Sequence, residues 1–347
     1  MSNRRQTSLH CRSRSPAGRR LVPLIWFLLS LGAFAADQPT ATGQLETYHA
    51  PQNQPAEAPL HIGFSYTMFI GINTTDARNS IKALTASIAH EVDIPAETDP
   101  LIFQNVDEAE NVLNHHVIGA ASMTTSEFWL LRRKVKFDRF LVTTRNGNPT
   151  NAYLVLTRDG SPVKTLADLR GKRLLVYDNP SMCLAVVFLD VELANQSLPP
   201  TSMILGSISG FTKPAKVVLP VFFGQADACL ITRYAYETMV ELNPQVGRQL
   251  RIIASSPDYV TALFGFSADL STAFKDNSIR AFVGLRSSIF GKQTLAIFQS
   301  DEISELTAST IEPSLTLLDE HARLCPDANV ALMAALRGIS PASKPRP

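Results

Sequence analysis

Short apolar runs alternate with segments of helical period along most of this chain. Leu174-Leu175-Val176, Leu230-Ile231 and Tyr153–Leu156 are compact runs bounded by turn residues, the pattern of strands covered on both faces. Between such runs, Ile81, Leu84, Ile88 and Val92 recur at helical spacing, with Asp76 as their expected cap. Leu184, Val187, Phe188 and Val191 do the same within a helix expected over 181–195. The pattern predicts strands at 60–64, 101–103, 117–121, 140–144, 153–157, 173–177, 228–231, 251–255 and 260–266. Helices are predicted at 106–114, 127–131, 166–169, 213–222, 277–290 and 304–324. Strand, helix, strand in this order means parallel strands with right-handed crossovers. In such sheets ligands bind beyond the carboxyl ends of the strands.

The first 35 residues break the pattern. Six arginines precede the apolar stretch Leu21–Ala35, which closes on Ala33-Phe34-Ala35. A basic start, an apolar run too short for a span and small residues at a cleavage point read as a secretory signal peptide. Arg19-Arg20 leaves twin-arginine export open. Residues 36–59, rich in Pro, Gln, Ala and Thr, read as a flexible leader, and residues 340–347 as a loose tail.

The signal peptide changes the charge. It holds six of the 32 basic residues and none of the 31 acidic ones, so the remainder carries a net charge of about −5. A mildly acidic protein has no general attraction to nucleic acid or anionic lipid. Any anion site must come from local donors. Cys183, Cys229 and Cys325 remain after Cys11 leaves; three is odd and there is no C-x-x-C, so neither a disulfide scaffold nor a zinc site is expected. His115-His116 are adjacent, do not face the same way, and have no third ligand at suitable spacing. Gly206–Gly210 misses the nucleophile elbow, because Ile208 stands at its central position.

Thr165–Phe188 combines L-A-D-L-R-G-K, a buried strand and the turn Asn179-Pro180-Ser181. This stretch resembles the second-lobe motif of the phosphonate/phosphate-type periplasmic substrate-binding proteins of ABC transporters. Val221–Ile231 is similar to that family's G-x-A-D-A strand signal, and Pro257–Phe266 stands where its chain returns to the first lobe. The resemblance covers roughly residues 60–320. It implies a type 2 periplasmic-binding-protein fold: two mixed α/β lobes joined by a two-strand hinge near Asn151–Tyr153 and Pro257–Phe266. Lobe one would comprise 60–150 and 256–339, and lobe two 151–255.

The implied function is a periplasmic, monomeric solute-binding protein that captures a small anionic ligand in the cleft for ABC permease subunits, or reports it to a membrane sensor. No cofactor and no nucleic acid enter this reading. The expected donors are Thr67, Thr124, Thr125, Ser126, Asn179, Ser181 and Thr232, with Tyr66 and Tyr234 as cleft walls. Arg233 is either a further charge or a solvated side chain. The family's Ser-Thr-Ser-Gly helix start is here Ser181-Met182-Cys183-Leu184, which implies fewer donors and a ligand bulkier or less charged than phosphate. The alternative is an enzyme on the same fold, resembling some thiamine-related enzymes, with Cys183 as a thiolate near a helix start.

Overall fold

A computed structural model describes residues 61–91 and 99–339. The expected signal peptide, leader and tail lie outside them, as does Leu60.

The chain opens with β1 (Ile62–Ser65), a 3-10 turn Tyr66–Phe69 and α1 (Thr74–Glu91). β2 (Leu101–Phe103), α2 (Val106–Asn114), β3 (Ala120–Thr124), α3 (Thr125–Leu131) and β4 (Phe137–Thr144) follow. The chain then crosses to β5 (Tyr153–Arg158), β6 (Arg173–Tyr177), α4 (Ala185–Asn195), α5 (Thr201–Ile204) and β7 (Ser207–Phe211). Next come α6 (Pro214–Phe222), β8 (Ala228–Thr232), α7 (Arg233–Leu242), α8 (Pro244–Gln249) and β9 (Leu250–Ser255). It returns through β10 (Ala262–Ser267), α9 (Thr272–Gly284), α10 (Ile289–Ile297), β11 (Glu302–Glu305), α11 (Ala308–Leu324) and α12 (Pro326–Leu336).

Two separate mixed sheets result. One has six strands in the order β11-β4-β10-β3-β1-β2, the other five in the order β7-β6-β8-β5-β9. In the first, β1 pairs in parallel with β2 and β3, while β10 runs antiparallel to β3 and β4. In the second, β6 pairs in parallel with β7 and β8, while β5 runs antiparallel to β8 and β9. The chain passes between the sheets twice, and the two passages bond to each other. Asn151 N–H donates to the Tyr259 carbonyl at 2.8 Å, and Tyr259 N–H to the Asn151 carbonyl at 2.9 Å. This is the two-strand hinge.

The largest buried cluster runs through that hinge, from Phe103, Ile118 and Trp129 past Tyr153, Tyr259 and Val260 to Phe188 and Leu230. Each such side chain contributes about 1.5–3 kcal/mol by burial. α11 packs against α3 of the first lobe and α4 of the second. Asp319 accepts from Trp129 Nε1 at 2.7 Å, and His321 faces Asp190 at 3.3 Å.

Several sequence expectations shift. The strand expected at 117–121 is β3 at 120–124, because the N–H groups of Val117 and Ile118 both go to the Val112 carbonyl at the end of α2. α1 is capped by Asn73, whose Oδ1 accepts from Thr75 and Asp76 N–H, and not by Asp76. The helix expected at 277–290 is two helices, with Ser288 capping the second. Ser304 and Glu305, expected to begin a helix, belong instead to β11, which extends the first sheet beside β4. No regular helix starts at Ser181: Pro180–Met182 is one 3-10 turn, and α4 begins at Ala185.

Candidate ligand-binding site

The carboxyl ends of β1, β3 and β4 in one sheet and of β6 and β8 in the other carry most of the polar residues singled out above. The turns after β1 and β6 touch: Tyr66–Phe69 packs against Pro180–Met182. A Cβ added at Gly71 would lie 3.9 Å from Thr212 Cβ of the other lobe.

On the first lobe the hydroxyls converge on one carboxylate. Glu127, in the first turn of α3 and only 2% exposed, accepts from Ser65 Oγ at 2.5 Å and Thr67 Oγ1 at 3.2 Å. It also accepts from Thr124 N–H and Thr124 Oγ1, both at 2.8 Å. Thr124 caps α3 and Glu127 closes the capping box. Thr125 is bound to the hinge: its hydroxyl donates to the Val260 carbonyl at 2.7 Å and its N–H to the Thr261 carbonyl at 3.0 Å. Ser126 Oγ donates to the Cys183 carbonyl at 3.1 Å, joining the lobes. Thr124, Thr125 and Ser126 are all buried, Thr67 is half-buried and Tyr66 is exposed.

On the second lobe, Asn179 Oδ1 accepts from Ser181 N–H at 3.0 Å and Ser181 Oγ at 2.7 Å. Tyr153 donates its hydroxyl to the Ser181 carbonyl at 2.8 Å. Asn179 and Ser181 are half-buried at the lobe boundary. Thr232 is buried and caps α7, accepting from Ala235 N–H at 3.2 Å. Arg233 faces Asp258 at 3.7 Å and Ser255 Oγ at 3.3 Å. Tyr234 is exposed, and the Arg145 guanidinium lies over its ring, 3.9 Å from the centroid. Burial raises the Tyr177 hydroxyl, while its hydrogen bond with Asn179 and the charge of Arg145 pull it back.

Cys183 is placed against thiolate chemistry. Burial pushes its thiol up to about 11, only partly offset by hydrogen bonding with Ser126. The thiol donates to the Thr261 carbonyl at 3.1 Å. A depressed pKa, the requirement of a reactive cysteine, is therefore not met. Among the described residues no group of three or more His, Cys, Asp or Glu could hold a metal ion, and no helix is long and apolar enough to cross a membrane.

Three residues that take part in these contacts escaped the sequence pattern: Ser65, Glu127 and Arg145. The T-x-x-E spacing of Thr124 and Glu127 carried the capping-box signal. Arg145, in a polar turn, carried none.

Two mixed sheets, a double-strand hinge and polar loops at facing strand ends define a two-lobed substrate-binding fold. The family model for ABC transporter, phosphonate, periplasmic substrate-binding protein matches residues 72–311, so the chain belongs to that family. Solved structures agree at the level of fold. A binding protein component of an ABC phosphonate transporter from Pseudomonas aeruginosa aligns with TM-score 0.53 and 15% identity, covering 81% of this chain and 96% of its own. PhnD1 from Prochlorococcus marinus, in complex with methylphosphonate, aligns with TM-score 0.52 and 15% identity over 76% of this chain and 97% of its own. XAC2383 from Xanthomonas citri, bound to ATP, gives TM-score 0.57 and 16% identity over 77% and 98%. No curated protein sequence matches the chain.

Proposed function

We propose that this chain captures a small anionic ligand, of phosphonate or phosphate type, between its lobes and delivers it to ABC permease subunits. The observation that carries this is the convergence of Thr67, Asn179, Ser181 and Tyr234, none fully buried, at strand ends of two different sheets. Tyr66, Thr67, Asn179, Ser181 and Tyr234 touch the ligand directly. Thr124, Thr125, Ser126 and Thr232 stand behind them and fix the loops, through the bonds to Glu127, the hinge, Cys183 and α7. Ligand binding exchanges the Ser181–Asn179 bond for one to the ligand, at little net cost since a hydrogen bond replaces a hydrogen bond.

The lobes divide at 150/151 and 255/256, and rock about the Asn151–Tyr259 bridge. The mature protein begins near Ala36, works as a monomer in the periplasm and catalyses no reaction; the raised Cys183 thiol supports binding over turnover. Mass spectrometry of small molecules released on denaturing the purified protein, followed by titration calorimetry with methylphosphonate and inorganic phosphate, tests this. A released anion that rebinds supports it. Release of a chemically altered product from an added substrate overturns it in favour of an enzyme.

A further inference from the structure

The hydroxyls of Thr124, Thr125 and Ser126 are spent on Glu127, the hinge and Cys183, which leaves open what meets the ligand's charge. Arg145 follows the last residue of β4, at the cleft end of the six-stranded sheet. Its backbone is held by a tight turn: Arg145 N–H donates to the Asn148 carbonyl at 3.0 Å and Asn148 N–H returns to Arg145 at 2.9 Å. Asn146 and Gly147 have φ of 51° and 73°, and Asn146 N–H is pinned by Asp301 at 2.7 Å. The arginine therefore leaves a fixed point.

Its side chain differs from those of three other arginines in the two lobes. Arg233 faces Asp258, Arg139 bonds Glu305 and Asp276, and Arg286 bonds Glu302. Among the described residues no carboxylate lies within ion-pair distance of the Arg145 guanidinium. One of its N–H groups goes to the Gln299 carbonyl. A guanidinium has five donors, so several remain. The plane lies on Tyr234 of the other lobe, a contact that orients the guanidinium while leaving its edge donors unspent. Its charge also acts on the Tyr177 hydroxyl across the boundary, and that hydroxyl is hydrogen-bonded with Asn179.

We propose that Arg145 is the residue that pairs with the ligand's negative charge, and that Tyr234 holds its guanidinium in place. This rests on the anionic-ligand reading above. An arginine without an acidic partner, fixed at a strand end and stacked across two lobes, matches the bidentate recognition of phosphonate oxygens. Because the stack joins the lobes, the same contact favours closure.

Calorimetric titration of the purified full chain with methylphosphonate tests it. Arg145→Ala should weaken binding by about 10- to 100-fold, the effect of losing a charge-assisted hydrogen bond. Arg145→Lys, which keeps the charge but not the fork, should recover part of that loss. Tyr234→Ala should weaken binding more than Tyr234→Phe, which keeps the ring. Arg251→Ala, removing a guanidinium that faces Asp159 on the outer strand of the second sheet, should bind like wild type. Equal affinity in wild type, Arg145→Ala and Arg145→Lys would overturn the assignment of Arg145 while leaving the binding function intact. A wild-type protein that binds neither methylphosphonate nor inorganic phosphate would overturn both.

Discussion

Ser65 Oγ donates to Glu127 at 2.5 Å, so that the end of β1 is held by the first turn of α3. The carboxylate also gathers Thr67 and Thr124, and with them both polar loops of the first lobe. A buried charge is tolerated only when its oxygens are satisfied. Glu127→Gln keeps the shape but turns an amide N–H₂ toward hydroxyl donors. Losing one bond to a charged acceptor costs about 2 kcal/mol. For a chain of this size that lowers Tm by roughly 3 °C, read by scanning calorimetry. An unchanged Tm would mean that the carboxylate does not organise these loops.

The contrast between Glu127 and β6 marks what sequence pattern can reach. Leu174 and Leu175 are fully buried, and an apolar run between turn residues announces such a strand. β7 pairs with β6 at the sheet edge, yet Ser207, Ile208, Gly210 and Phe211 are not buried, so no apolar pattern marked it. β11 is a similar edge, with Glu302 and Glu305 at its ends. The hydroxyls of Thr67 and Thr124 were legible as cleft-end residues. That they point to Glu127 depends on β1 lying beside β3, a non-local pairing. Arg145 is invisible for the same reason: the Tyr234 ring it lies against is in α7, which follows β8 of the other sheet.

Asp190 and His321 join the lobes at a second place. Their side chains are 5% and 2% exposed. Asp190 also accepts from Thr201 N–H at 2.7 Å. Removing His321 takes one hydrogen-bond partner from the buried Asp190 side chain, which costs about 1–3 kcal/mol. His321→Ala should therefore lower the urea midpoint. Asp190→Asn should cost less, since its carbonyl still accepts from Thr201 and its amide can face His321. The reverse order would show that the pair contributes little and that Asp190 matters through Thr201.

Cys183 sets a pH dependence on the alkaline side. Burial raises its thiol from 9.0 to about 11, so the folded state holds this proton more tightly than the unfolded chain. Its contribution to stability is complete below pH 9.0 and is lost as pH rises through about 11. Tyr259, raised to about 12 by burial and then by Glu192 and Glu320, acts in the same direction. Comparison with Cys183→Ala isolates the thiol: urea midpoints of the wild type should fall more steeply above pH 9.0 than those of the variant. Native Cys183 should also react slowly with iodoacetamide near neutral pH. Fast alkylation there would restore the thiolate chemistry of the enzyme alternative.

Ser181 separates a ligand contact from a structural cap. Its hydroxyl donates to Asn179 Oδ1 at 2.7 Å, while its N–H donates to the same oxygen at 3.0 Å. The N–H bond survives in Ser181→Ala, so the turn stays closed and Tm should move little. The hydroxyl is half-buried at the boundary with the first lobe, and in the function proposed above a ligand oxygen takes the place of Asn179 as its acceptor. Its loss should weaken methylphosphonate by about tenfold, the effect of one hydrogen bond to a charged acceptor. Asn179→Ala removes the acceptor for both bonds and should lower affinity and stability together, the latter by about 1 kcal/mol as for other caps. Calorimetric titration and thermal melts of the two variants divide the roles. If Ser181→Ala lost stability at unchanged affinity, Ser181 would be a cap alone, and the ligand contacts of the second lobe would move to Asn179 and Tyr234.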